Sequence, residues 1–288
     1  MRIATYNIHG WRTADGLPNW QQVADVLRAT GADIIGLNEV YHPLREEEGL
    51  AREAEGPNSH SLTPLLERVA GELRMHSIFG PCLRWPATDE MPEKSYGNGL
   101  LSRWPIIASA AHHLTPVPEK EQRGLLEGRI LLPDGRNFTA YVTHLDHTDE
   151  ASRLIQLRAL RTWTIRDRNR PHIVMGDFNA VSPWDFADRP DDLQHLVENH
   201  PPSGPLMQES GMQVIPQMEK AGYTDAMRAA GQPGQGTFIR AAASLRIDYI
   251  FLSQSLAPSL RGVEVWQEEP GHEASDHRPV IAEIGDWG

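Results

Sequence analysis

Residues 128–145, GRILLPDGRNFTAYVTHL, contain two apolar runs joined through Pro133-Asp134-Gly135. Proline presets the turn backbone, Asp and Gly complete it, and the flanking runs are strand-like, so the stretch predicts an antiparallel hairpin. Directly after it, Thr148-Asp149-Glu150 opens a predicted helix reaching about Asp167. Its acids lie in the first turn and its arginines towards the end, as the helix dipole favours. HIVMGDFNA (172–180) then reads as a buried strand. A hairpin leading into a strand–helix–strand unit points to sheets that mix antiparallel and parallel neighbours. The expected class is α/β, with two mixed sheets packed together rather than one doubly wound parallel sheet.

The pattern extends outward in both directions. RIATYNIHG (2–10) alternates, with Ile3, Thr5, Asn7 and His9 facing one way and Ala4, Tyr6 and Ile8 the other. A helix is predicted over Trp20–Thr30, with Val23, Val26 and Leu27 on its apolar face and Gly31 as the stop. ADIIGLNEV reads as a second strand ending at Glu39, SLTPLLERVAGEL as a helix, and GNGLLSRWPIIAS as a strand pair broken at Arg103-Trp104-Pro105. RIDYIFLS and PVIAEI close the sheet. The polar stretch 41–61 and the Pro-, Gly- and acid-rich stretch 183–215 read as loops or excursions, with Pro-rich 201–205 a turn or lid. No repeat of 20–50 residues appears. A single domain over 1–288 is expected, since α/β folds of this length often stay undivided.

Four segments end apolar runs with the same chemistry: Asn7 in TYNIHG, Glu39 in LNEV, Asp177 and Asn179 in GDFN, and Asp276-His277 in SDHRP. Hard oxygen ligands gathered from distant segments suit Mg²⁺ or Mn²⁺ and a phosphate that the ion polarises. Asp177 and Asn179, two apart, share a face of an extended segment. Such a pair can hold or deprotonate a water while the amide steadies a phosphate oxygen; an ordinary turn after a strand is the plainer alternative. Asp248 in RIDYIF is a suitable partner for His277, because a buried carboxylate accepting from an imidazole raises its pKa and fixes its tautomer. Glu39 at a strand end needs solvent or a cation, and Asn7 can serve as a neutral ligand or orient Glu39.

Composition narrows the functional classes. The 27 basic and 39 acidic residues give a net charge of −12, which offers no general attraction to a polyanion. The lone Cys82 excludes an intramolecular disulfide and a thiolate zinc cluster. No apolar stretch approaches the ~20 residues of a membrane span. The chain enters a strand pattern without a signal-like apolar region, so a cytoplasmic protein is expected. His144, Asp146 and His147 match the second half of an HxHxDH zinc motif, but Val142 stands where the first His is required. The six arginines between Arg153 and Arg170 read as a solvated helix face, and His112-His113 as surface. Trp104 and Trp163 are expected in the core, and Trp11, Trp85 and Trp184 in loops, with Trp11 and Trp184 bordering the pocket.

Taken in order, TYNIHG, LNEV, YGNGLLSRWPI, THLD, GDFNA, RIDYIF and SDHRPV resemble the endonuclease/exonuclease/phosphatase family, the DNase-I-like metal-dependent phosphoesterases. The likeness runs from residue 3 to residue 281. The family's usual Gln-Glu pair is here Asn38-Glu39, which keeps the acid and shortens the amide. The resemblance implies a four-layered α/β sandwich with the site at one edge of two sheets. It implies Glu39 as principal metal ligand, Asn7 close by, and Asp276 supporting the metal or its waters. Asp177 would orient or deprotonate the attacking water, Asn179 stabilise transition-state oxygens, and His277, held by Asp248, donate to the phosphate. His144 would contact the phosphate or assist the leaving group, and Asn98 would line the pocket. The expected activity is Mg²⁺- or Mn²⁺-dependent hydrolysis of a small or lipid-like phosphoester. A DNA-processing enzyme is the alternative, and a non-catalytic binding protein on the same scaffold the reading from another class.

Overall fold

The computed structural model describes residues 1–13, 15–44, 63–88, 93–188, 190–199, 212–232, 235–239, 245–268 and 271–287. Most of the loop expected at 41–61, and all of Pro-rich 201–205, lie outside the described residues. The first half runs β1 (Arg2–Asn7), α1 (Trp20–Thr30), β2 (Ile34–His42), α2 (Leu65–Leu73), β3 (His76–Trp85), β4 (Lys94–Ser102), β5 (Ile106–His113), β6 (Gly124–Leu131) and β7 (Asn137–His144). The second half runs α3 (Glu150–Thr164), β8 (His172–Asp177), α4 (Pro190–Asn199), α5 (Val214–Lys220), β9 (Thr224–Asp225), α6 (Ala226–Ala229), β10 (Asp248–Leu252), β11 (Leu260–Val265), α7 (Gly271–Ala274) and β12 (Val280–Ile284).

Two six-stranded sheets result, ordered β11-β12-β1-β2-β4-β3 and β5-β6-β7-β8-β10-β9. Each is mixed: β1 pairs parallel with β2 and antiparallel with β12. Likewise β8 is parallel to β7 and antiparallel to β10. The hairpin forms as read, with Gly128 opposite Ala140 in the β6–β7 register. Alternation in β1 sorts its side chains between two cores. Ile3 joins Ile34, Leu100, Val142, Met175 and Ile250 between the sheets. Ala4, Tyr6 and Ile8 pack with Val23, Leu27, Leu66 and Val69 under α1 and α2. Leu157, Leu160 and Val214 from α3 and α5 cover the other sheet's outer face over Tyr141, Val174 and Phe251. Helix, sheet, sheet, helix is thus the layering, as expected from the resemblance.

Local signals account for the helix ends. Gly31 closes α1 in the left-handed conformation, φ 62°, and the Asp149 side chain caps α3 by accepting the Ser152 amide hydrogen at 2.8 Å. Several expectations need correction. β2 does not stop at Glu39; it bulges there and continues to His42, pairing Val40 with Gly97 beyond the irregularity. β4 and β5 are not paired with each other, because the break at Arg103–Pro105 carries the chain from one sheet to the other. β3 was not foreseen: it is a sheet edge, half exposed, with Pro81 at a register shift, so its pattern is weak. β11 is likewise an edge strand, and α4 lies within the stretch read as irregular. His9 leaves the strand alternation for a 3-10 turn with φ 54°.

Gly176 ties the fold to the site. It precedes Asp177 with φ 137°, and a Cβ there would lie 1.9 Å from the Thr143 carbonyl oxygen on the neighbouring strand. Gly135, in the hairpin turn, has φ 85° but open space around it. Gly176→Ala is expected to cost at least ~3 kcal/mol, and Gly135→Ala about 1–2 kcal/mol. Urea unfolding of both variants checks the order, and equal costs would mean that the Thr143 backbone gives way.

Candidate active site

Strand register collects the polar ends. Asn7 stands opposite Asn38 where β1 meets β2. In the other sheet, Asp177 is flanked by His144 on β7 and Asp248 on β10. The turn before β12 adds Asp276 and His277, held against β1 by the Ser275 hydroxyl, which donates to the Asn7 carbonyl at 2.8 Å. Asn7, Glu39, Asp177, Asn179, His144, Asp248, Asp276 and His277 therefore gather at one edge of the sandwich.

Amides join the two sheets at this edge. The Asn7 side chain donates to Glu39 Oε1 at 3.0 Å and to Asp177 Oδ2 at 3.1 Å, and its oxygen accepts the His9 amide hydrogen at 3.1 Å. Asn38 donates to the Thr143 carbonyl and to Asn98 Oδ1, each at 2.9 Å, and accepts the Asp177 amide hydrogen at 2.9 Å. The shorter amide at position 38 thus spans the gap fully. Asn98 is buried and spends its NH₂ on the Gly124 and Val142 carbonyls at 3.1 and 3.3 Å. Its polar atoms bond across the seam between the two sheets.

The imidazoles differ in charge. Burial alone would discharge His277, but Asp248, 2.8 Å from Nδ1, outweighs it, with help from Asp177 and Asp276, and raises the pKa from 6.5 to about 10. His277 is therefore a cation at neutral pH, with Nδ1–H donating to Asp248 and Nε2 3.8 Å from Asp177 Oδ2. His144 is the opposite: burial, then the charges of Arg123, His277 and His147, hold its pKa well below the ordinary range. Its Nδ1 faces the Arg123 guanidinium at 3.3 Å and the Tyr96 hydroxyl at 3.4 Å. Both can donate, so the His144 proton belongs on Nε2, 3.5 Å from Asp177 Oδ2. Asp177 receives all of this. Burial, then the Asp248 charge, lift its pKa from 3.8 to about 7 against the pull of His277. Its Oδ1 accepts the Asn179 amide hydrogen at 2.8 Å, closing a turn in which Asn179 has φ 47°.

Asp177, Asp248 and His277 offer three ligand atoms within 4.8 Å of one another. That trio is a poor metal cage, because a protonated His277 has no lone pair to give and already bridges the acids. Glu39 is the better anchor. It occupies the bulge with φ 61°, is half-buried, and among the described residues meets no cation. Asn7 touches it directly, and His9 links Asn7 to Asp276, its Nε2 lying 3.8 Å from Asp276 Oδ2. Carboxylate and amide oxygens of this kind suit a hard divalent cation such as Mg²⁺ or Mn²⁺.

Sequence reading missed Arg123 and Tyr96, and gave Asn38 no place in the site. Arg123 is buried, and its guanidinium also meets His147 Nδ1 at 3.2 Å and Glu121 at 3.1 Å. The only trace in sequence is a lone Arg just before an apolar strand. A guanidinium between His144 and His147 also disposes of the zinc-motif reading, since a fixed cation already stands there. Trp11 does not border the pocket; it is core, with its indole N–H donating to the Tyr41 carbonyl at 3.1 Å. Trp184 lies in a short 3-10 turn, Pro183–Phe186, with its ring centre 6.0 Å from the Arg228 guanidinium. Trp104 and Trp163 are only partly buried against the cores. His112 is not a bare surface group: it stacks on Trp163 and lies 2.9 Å from Glu127.

The model of the Endonuclease/Exonuclease/phosphatase family matches residues 4–277. Among solved structures, an endonuclease/exonuclease/phosphatase from Beutenbergia cavernae is similar with a TM-score of 0.69 at 22% identity, over 99% of this chain and 72% of that one. A mannosyl-6-phosphatase from Bacteroides thetaiotaomicron aligns with a TM-score of 0.65 at 17% identity, over 99% of both chains. A 3′ phosphatase from Neisseria, bound to a product DNA hairpin, aligns with a TM-score of 0.62 at 18% identity, over 100% of both. No curated protein matches the chain in sequence.

The Asp248–His277 pair is open to titration. Because the folded pKa of His277 is raised, the stability it contributes is complete below 6.5 and is lost as pH climbs towards about 10. In Asp248→Asn the charge goes but the burial stays, so the ring is expected to titrate below 6.5. Imidazole NMR of the metal-free protein reads this directly, and an unchanged high pKa in the variant would exclude Asp248 as the cause.

Proposed function

On the premise that the chain belongs to the endonuclease/exonuclease/phosphatase family, we propose that it is a Mg²⁺- or Mn²⁺-dependent phosphoesterase, one domain over residues 1–288, that hydrolyses a small-molecule or lipid-like phosphodiester or phosphomonoester. The observation that carries the reading is Asp177: a buried carboxylate titrating at about 7, between a cationic and a neutral imidazole. A base with a pKa near the working pH is what water activation requires.

Each side chain then has a task. Asn7 fixes Asp177 and Glu39 relative to each other through its two N–H groups. Asp177 takes the proton of the attacking water, and Asn179, whose turn it caps, has one N–H on the Leu145 carbonyl at 3.0 Å and a second for a phosphate oxygen. His277, kept charged by Asp248, donates through Nε2–H to a non-bridging oxygen. His144 presents a neutral Nε2–H to the phosphate or the leaving oxygen. Glu39 and Asp276, with Asn7 alongside, would hold the divalent ion, which when bound supplies Lewis-acid neutralisation of charge on the phosphoryl and leaving oxygens. Attack is in line, opposite the leaving group.

A net charge of −12 supports a small or lipid-like substrate over a nucleic-acid backbone. Likeness to a DNA-bound 3′ phosphatase keeps a DNA-processing enzyme as the second reading.

Hydrolysis of bis-p-nitrophenyl phosphate, p-nitrophenyl phosphate and a nicked or abasic oligonucleotide, each with Mg²⁺, Mn²⁺ or EDTA, separates these. EDTA-sensitive turnover of the small esters, exceeding that of the oligonucleotide, is the expected result; EDTA-insensitive silence on all three would favour a binding protein. Asp177→Ala is expected to lower kcat by about 10²–10⁴, and His277→Ala by about 10²–10³, with unfolding midpoints retained. Wild-type turnover in either variant would sink the assignment.

A further inference from the structure

The far ends of β8 and β10 carry a second concave site. Asp177 and Asp248 mark the catalytic end of these paired strands; His172 and Ser253 mark the other, about 17 Å away at ~3.3 Å per residue. There the last turns of α3, the 3-10 turn after it and the α5–β9 turn enclose a cavity of about 640 Å³. That volume lies within the range of small-molecule sites, roughly 300–1,000 Å³.

Three guanidinium groups, Arg158, Arg161 and Arg168, line it, and none forms an ion pair with a described residue. Their neighbours behave differently: Arg153 is fully buried against Glu150, Arg166 meets Glu127 and Arg170 meets Asp167. Apart from buried Arg153, the stretch is a solvent-facing one as read, and within it Arg158, Arg161 and Arg168 border the cavity. Buried Asp167 does not pair with them: it accepts the Tyr141 hydroxyl at 2.9 Å and meets Arg170 at 3.5 Å. In a chain of net charge −12, three arginines around one hollow make a local positive site that attracts an anion.

The floor is polar and set. His172 donates Nδ1–H to the Arg170 carbonyl at 2.8 Å, so its Nε2 accepts the Tyr223 hydroxyl at 2.9 Å. Burial keeps His172 on the neutral side. Burial pushes the Tyr223 hydroxyl up to about 12, so it presents no charge against an anion. Ile165, 56% exposed, forms an apolar lip.

We propose that this cavity binds a small molecule carrying two or more phosphate groups, held by the forks of Arg158, Arg161 and Arg168 and separate from the catalytic centre. Planar guanidinium groups match phosphate oxygens two at a time, and three around one cavity offer enough paired N–H donors to hold more than one phosphate group. Inorganic pyrophosphate is the probe. Calorimetric titration in EDTA at physiological salt is expected to give one saturable site, binding orthophosphate at least about tenfold more weakly.

The double variant Arg161→Gln/Arg168→Gln is expected to weaken pyrophosphate by about tenfold or more per guanidinium removed, with its unfolding midpoint unchanged. Glu39→Gln and His277→Ala, at the other end of the strands, should bind pyrophosphate as the wild type does. No saturable binding, equal affinity in the double variant, or loss of binding in His277→Ala would each overturn the proposal. Tighter, steeply salt-dependent binding of a single-stranded oligonucleotide that needs the same arginines would overturn it too, by assigning this face to nucleic acid.

Discussion

Asn7 and Asn38 cross the seam between the two sheets, and the site depends on that crossing. Sheet faces adhere through apolar burial, which is non-directional and tolerates small slips. Hydrogen bonds from Asn7 to Asp177 and between Asn38 and the Asp177 backbone tolerate far less, because each is lost with a shift of a few tenths of an ångström. All these groups are buried, so a broken bond would leave a polar group unsatisfied at a cost of about 1–3 kcal/mol each. Asn98 extends the same bracing to the first strand of the hairpin. A polar network of this kind sets the relative position of Glu39 on one sheet and Asp177 on the other more closely than packing alone would.

Charge is distributed across that seam by environment rather than by residue type. Two histidines lie near one carboxylate oxygen, and one is a cation while the other is neutral. Asp248 makes the difference for His277, and Arg123 together with burial makes it for His144. Asp177 sits between them with its own proton near balance at about 7. Unlike environments for like groups are how one site comes to hold both a proton donor and a proton acceptor. The same logic separates the two classes of arginine around α3, where pairing with an acid fixes some and leaves others facing a cavity.

Much of this was legible in the sequence. Strand alternation, the Pro133-Asp134-Gly135 turn, the Asp149 cap and the Gly31 stop are local, and local interactions act through a few neighbouring residues. The acids and imidazoles of the candidate site were legible as motifs because polar residues at the ends of apolar runs are conspicuous. Edge strands such as β3 were not, since a half-exposed strand needs no strict pattern. The bulge at Glu39 was also hidden, because it arises where β2 meets β4 and depends on both.

By itself the sequence determined the two mixed sheets, the order of the elements apart from β3, β11 and α4, and the residue types of the site, because propensity, turn chemistry and hydrophobic period are written within each segment. Only the tertiary structure decided which polar ends meet, that Asn98 braces the two sheets, that Arg123 joins His144, and that His144 is neutral. Those outcomes rest on register between strands far apart in the chain, and on burial, which changes the energy of a charge by more than any neighbour in sequence does.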